Sequence, residues 1–77
     1  MDKYELRNKI GTRIESLRKE RGLSIARLAA MADITAANLN NIEKGRYSVG
    51  LEILGRICEA LECSIEIEQW NSYYYDS

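Results

Sequence analysis

The sequence predicts an all-α fold, a compact bundle of four to five short helices with a short C-terminal β-strand. Three observations predict it: apolar residues recurring every three or four positions, cap-forming residues wherever that pattern breaks, and strict alternation from residue 64. In the first segment Leu6, Ile10, Ile14 and Leu17 recur at helical spacing with charged residues between them. A helix is therefore expected from an N-cap at Asp2 to Arg21, ended by a left-handed Gly22. Ser24 can cap a second, short helix with Ile25, Leu28, Ala29 and Ala32 facing inward. Asp33 breaks the pattern, and Thr35 caps a third helix with Leu39 and Ile42 on its buried side and Gly45 at its end.

After a loop over 46–50, residues 51–61 form a fourth helix. It carries two apolar stripes, one through Leu51, Leu54, Cys58 and Leu61 and another through Ile53, Ile57 and Ala60, and two stripes imply two neighbours. Beyond it Ile65, Glu66, Ile67 and Glu68 alternate as a strand with one apolar face. Two units are expected, a helical domain over 1–63 and a strand with its tail over 64–77.

A length of 77 residues bounds one small domain. With no His, and with Cys58 and Cys63 the only cysteines, neither a four-ligand zinc set nor a Ser/His/Asp or Cys/His arrangement can be assembled. There is no Gly-rich phosphate loop. The expectation is a protein that is not an enzyme and needs no metal or cofactor. No apolar run is long enough to span a bilayer and no signal peptide is evident, so a cytoplasmic chain without membrane contact is expected.

The net charge of −1 conceals a division. Residues 1–47 hold ten Lys/Arg against six Asp/Glu, while residues 48–77 hold one Arg against six acids. Such a basic half suits a polyanion.

The second and third predicted helices are short, joined by a tight turn, and carry small residues where two backbones must approach. That combination describes a helix-turn-helix. The apolar set Leu28, Ala32, Ile34, Leu39 and Ile42 would hold the crossing angle, leaving the outer face of 35–44 free to enter a major groove. Three Asn within four positions, Asn38, Asn40 and Asn41, stand on that exposed face although Asn is a poor helix former. Asn can pair bidentately with adenine, and an Ala methyl packs on a thymine methyl, so a half-site containing A·T pairs is implied.

These elements, with Ile10-Gly11, the run from Leu17 through Ser24, Leu28-Ala29 and Ile42-Glu43-Lys44-Gly45, resemble the lambda-repressor-like helix-turn-helix family over roughly residues 6–65. The resemblance implies a transcriptional regulator, a repressor, that binds double-stranded DNA as a homodimer in a prokaryotic or phage setting at the nucleoid. By it Ala36, Ala37, Asn38 and Asn41 read bases, while Arg13, Ser24, Thr35, Asn40, Lys44, Arg46 and Tyr47 contact the backbone. Arg18 and Glu43 match a pair that forms a structural salt bridge in the family. The sequence departs from the family where Ile25 stands for a phosphate-bonding Gln, Asp33 and Glu62 for Gly, and Val49 for Pro.

A single such domain covers one half-site, and the expected dimer interface is Ile53, Ile57, Ile65, Ile67 and Trp70. Two alternatives remain open at this point. One is a DNA-binding antitoxin whose acidic C-terminal part grips a toxin protein; the other is a helix-turn-helix scaffold that binds only protein.

Overall fold

Capping residues set the element boundaries in this chain, of which the structure, a computed structural model, describes residues 1–65. Helix α1 spans Lys3–Glu20, α2 Ile25–Met31, α3 Ala36–Glu43 and α4 Leu51–Leu61. Three N-caps fall where the sequence places them. The Asp2 carboxylate accepts from Glu5 N at 2.9 Å, Ser24 Oγ from Arg27 N at 3.0 Å and Thr35 Oγ1 from Asn38 N at 3.0 Å. Each satisfies an amide that the first helical turn leaves without a partner. Helix α4 starts at Gly50 with no side-chain cap.

The four helices end alike. Each closes on a residue at positive φ, namely Gly22 (67°), Asp33 (56°), Gly45 (69°) and Glu62 (55°). Just beyond it an amide reaches back five residues: Leu23 to Arg18 O, Ile34 to Ala29 O, Arg46 to Asn41 O and Cys63 to Cys58 O, at 2.9–3.1 Å. This left-handed closure turns the chain sharply and lets short helices pack at large angles. Asp33 and Glu62 adopt the conformation where the family pattern has Gly, at the steric expense of a Cβ.

The core is Ile14, Leu28, Ala29, Ala32, Leu39, Ile42, Ile57 and Leu61, with contributions from all four helices. Helix α1 packs on α3, α2 on α3 and α4, and α4 also on α1. The closest approach is at Gly11, where an added Cβ would stand 2.6 Å from Glu43 O and closer still to Ile42 O. Only a residue without a side chain lets α1 cross the end of α3 at this separation.

Among the described residues there are four helices, within the expected four to five. Two expectations are corrected. The strand is not seen, for Ser64 and Ile65 are irregular; Glu66, Ile67, Glu68 and Trp70 lie outside the described residues. The two stripes of α4 meet two neighbours, α1 and α2, but within a single core. Ile57 from one and Leu61 from the other are both wholly buried in the same core, with Ile53, Leu54 and Ala60 packed beside them, while Leu51 is 77% exposed. The reason is that α4 lies in the angle between α2 and α1, so one wide face is covered. Ile57 is thus a core residue and is removed from the expected dimer interface.

Candidate nucleic-acid interface

Helix α3 has two faces of different character. Leu39, Ile42 and Glu43 are buried, whereas Ala36, Ala37 and Lys44 are exposed and Asn38, Asn40 and Asn41 half-buried. The inner face is fixed by hydrophobic contact with α2 and by one ion pair with α1. Arg18 Nε and Nη2 donate to Glu43 Oε2 and Oε1 at 2.7 and 3.1 Å, and Arg18 Nη1 donates to Leu23 O at 2.8 Å. Both groups are buried, so each is the other's main compensation for lost water. The hydrogen bond it donates to Glu43 holds the Arg18 guanidinium above its ordinary pKa despite that burial. Charge, bidentate geometry and the carbonyl of Leu23 together tie α1, the turn before α2 and the end of α3 into one unit.

The outer face is braced from the loop that follows. Tyr47 Oη donates toward Asn38, lying 3.1 Å from its carbonyl oxygen and in closer contact with Oδ1. Arg46 Nη1 donates to Asn41 Oδ1 at 2.9 Å. That bond is local in origin, because the closure at Gly45 folds Arg46 N onto Asn41 O and brings the two side chains to the same side. An amide oxygen has two lone pairs, so Asn38 and Asn41 each keep an acceptor site and both amide donors while held in place. The bracing restricts side chains that would otherwise lose rotamer freedom on binding.

The structure therefore brings Asn38, Asn41, Arg46 and Tyr47 to α3 and its following loop as a group of two hydrogen-bonded pairs, Tyr47 with Asn38 and Arg46 with Asn41, next to exposed Lys44. Asn40 stands between the two braced amides on α3, and Ser24 and Thr35 mark the starts of α2 and α3 with their hydroxyls engaged in capping. Arg13 is not part of this group. It lies two residues from Gly11 on α1, about 200° around the helix, and lines a groove with Leu54 and Cys58 of α4 instead. What sequence reasoning missed is on the other side of α1, where Arg7 Nε donates to Ser48 Oγ at 3.0 Å in the loop beside Tyr47. The available signal was the helical angle between Arg7 and Gly11, which places both toward α3.

The Cys58 thiol is not activated. Cys58 and Cys63 are free and half-buried, and burial, with a hydrogen bond between them, pushes the Cys58 thiol up to about 11. A thiol so placed is protonated at neutral pH and a poor nucleophile. No helix among the described residues is long and apolar enough to cross a membrane.

The immunity repressor protein of Bacillus phage phi105 is 38% identical over 52 residues, 68% of this chain and 36% of that protein. The chain thus spans about a third of the length of this relative. Two crystal structures of the clp gene regulator ClgR from Corynebacterium glutamicum match with TM-scores of 0.75 and 0.74, each at 32% identity over 77% of this chain. They are covered over 63% and 77% of their own lengths. The helix-turn-helix family profile matches residues 14–67, from the middle of α1 through α4, and the chain belongs to that lambda-repressor-like helix-turn-helix family.

Proposed function

We propose that this chain is a sequence-specific DNA-binding transcriptional regulator, acting as a repressor, that inserts α3 into the major groove. The carrying observation is the braced outer face of α3, where Asn38 and Asn41 are held by Tyr47 and Arg46 above a fully packed inner face. In this reading Ala36, Ala37, Asn38 and Asn41 meet base edges. Asn40, Lys44, Arg46 and Tyr47, with Ser24 and Thr35 at the helix starts, meet the sugar-phosphate backbone. The Arg46 guanidinium, bonded to Asn41, couples the two sets, so that a phosphate held by Arg46 fixes the register of the base-reading amide.

Two copies bind two half-sites about one helical turn apart. The helical unit over 1–63 carries DNA contact and the segment over 64–77 carries dimerisation. Ile65, 43% exposed, lines a groove between α1 and α4 together with Ile10, Leu17, Leu54 and Cys63, with Lys9, Arg13 and Arg21 among its polar lining. The apolar part of this surface supports a contact with a second copy that includes Ile53, Ile65, Ile67 and Trp70. A toxin-like protein captured by the acidic segment would instead favour the antitoxin reading.

Selection of bound sites from a random duplex pool at fixed salt tests the proposal. Paired half-sites with a constant spacing are expected. Failure to enrich any sequence contradicts it.

A further inference from the structure

The cationic surface beside α3 continues onto the N-terminal end of α1. Lys3 and Arg7, one helical turn apart, both stand against the ring of Tyr4, with Lys3 Nζ 5.2 Å and Arg7 Cζ 5.4 Å from its centroid. Arg7 is also bonded to Ser48, and the same corner, lined by Lys3, Leu6, Arg7 and Val49, includes Tyr47. The guanidinium is thus pinned from two sides, by an aromatic face and by a hydroxyl of the loop that carries Arg46 and Tyr47. Neither cation forms an ion pair among the described residues, where the ion pairs are those of Arg18, Lys19, Arg21 and Arg56.

Stability accounts for only part of this arrangement: each cation is drawn to the ring face and Arg7 gains a hydrogen bond, but two terms oppose the pair. Two like charges on one ring repel each other, and a cation in the first helical turn, where Lys3 lies, opposes the helix dipole. An anionic ligand reverses both terms. Arg7 spends one of its donors on Ser48 and keeps the terminal N–H groups that bind phosphate in a fork.

We propose that Lys3 and Arg7 form a further phosphate-binding site, which takes the backbone of the duplex whose bases α3 reads. The inference rests on the DNA-binding reading above, and lies outside the span 14–67 matched by the family profile. It gives α1 a place in the interface through Arg7, where the sequence pointed to Arg13.

The test uses the full chain, a selected duplex and a random-sequence duplex, with affinity measured over a salt series. Arg7→Gln and Lys3→Gln are each expected to weaken binding to both duplexes by about fivefold at 0.15 M salt and to lower the salt slope by about 0.9, the contribution of one phosphate. Arg7→Lys retains the slope. Lys3→Gln removes no hydrogen bond of the fold, only an exposed contact with the Tyr4 ring, and its salt slope reads the lost charge. A wild-type chain that binds duplex while both Gln variants keep its slope overturns this proposal and leaves the DNA-binding reading standing. A wild-type chain that binds no duplex overturns both.

Discussion

Two arginines reach α3 from outside it and meet different fates. Arg18 comes from α1, is buried, and makes two charge-assisted bonds to Glu43 on the inner face. Arg46 comes from the following loop, is exposed, and makes one bond to the neutral Asn41 on the outer face. Burial decides what each bond does. In a site shielded from water, removing one partner strands a charge, so the first bond governs whether the helix is in place. In water the second contributes little to stability, so it orients Asn41 without committing the outer face to the fold. One face of α3 is committed to the fold and the other is left available.

The largest expected effect follows from the buried side. Glu43→Ala leaves Arg18 without its carboxylate and is expected to lose about 3–5 kcal/mol, enough to leave so small a domain largely unfolded at 25 °C. Glu20, on the surface 3.8 Å from Arg21, is the control, and Glu20→Ala should melt with the wild type. Denaturant unfolding of the two variants decides it. Equal curves would mean that the Arg18–Glu43 pair does not hold the inner face as described.

Gly11→Ala sharpens the same contrast without touching a charge. A methyl there meets the carbonyls of Ile42 and Glu43, and opening the α1–α3 crossing by a fraction of an ångström also stretches the Arg18 bonds. A loss of about 1–3 kcal/mol is expected, even though Ala is the better helix former. A stabilised Gly11→Ala variant would show that the crossing is slack. The smallest effect should come from the end of α4, away from both faces, where Glu62 holds a left-handed conformation. Glu62→Gly removes that strain and is expected to raise stability by about 0.5–1 kcal/mol, read as a higher melting temperature.

Much of this architecture was legible in the residues, and the legible part was local. Asp2, Ser24 and Thr35 cap because a short polar side chain needs to reach only its own first turn. Gly22, Asp33 and Gly45 mark helix ends for an equally local reason, the left-handed residue. What was misread depends on how helices cross. Periodicity gives α4 two stripes but not the width of its covered face, and so it assigns Ile57 to a dimer interface although the residue is 0% exposed. The resemblance implies Arg13 as the α1 cation beside α3, whereas the structure turns Arg7 that way, because the orientation of α1 is set by Gly11 against carbonyls more than thirty positions away. The braces on α3 are intermediate. Tyr47 and Arg46 are near in sequence, yet their bonds to Asn38 and Asn41 arise only once Gly45 has turned the chain back.

The availability of the outer face is tested most directly by comparing Asn41→Ala with Arg46→Ala on a selected duplex and on a random one across a salt series. Asn41→Ala should weaken binding to the selected duplex by about 1–3 kcal/mol and leave the random duplex nearly unaffected, since a base contact is lost and phosphate contacts remain. Arg46→Ala should weaken both and lower the salt slope by about one. Because Arg46 also holds Asn41, the double variant should lose less discrimination than the two single losses added together. Equal loss on every duplex from Asn41→Ala, with the salt slope untouched by Arg46→Ala, would contradict the assignment of α3 as the helix that reads DNA.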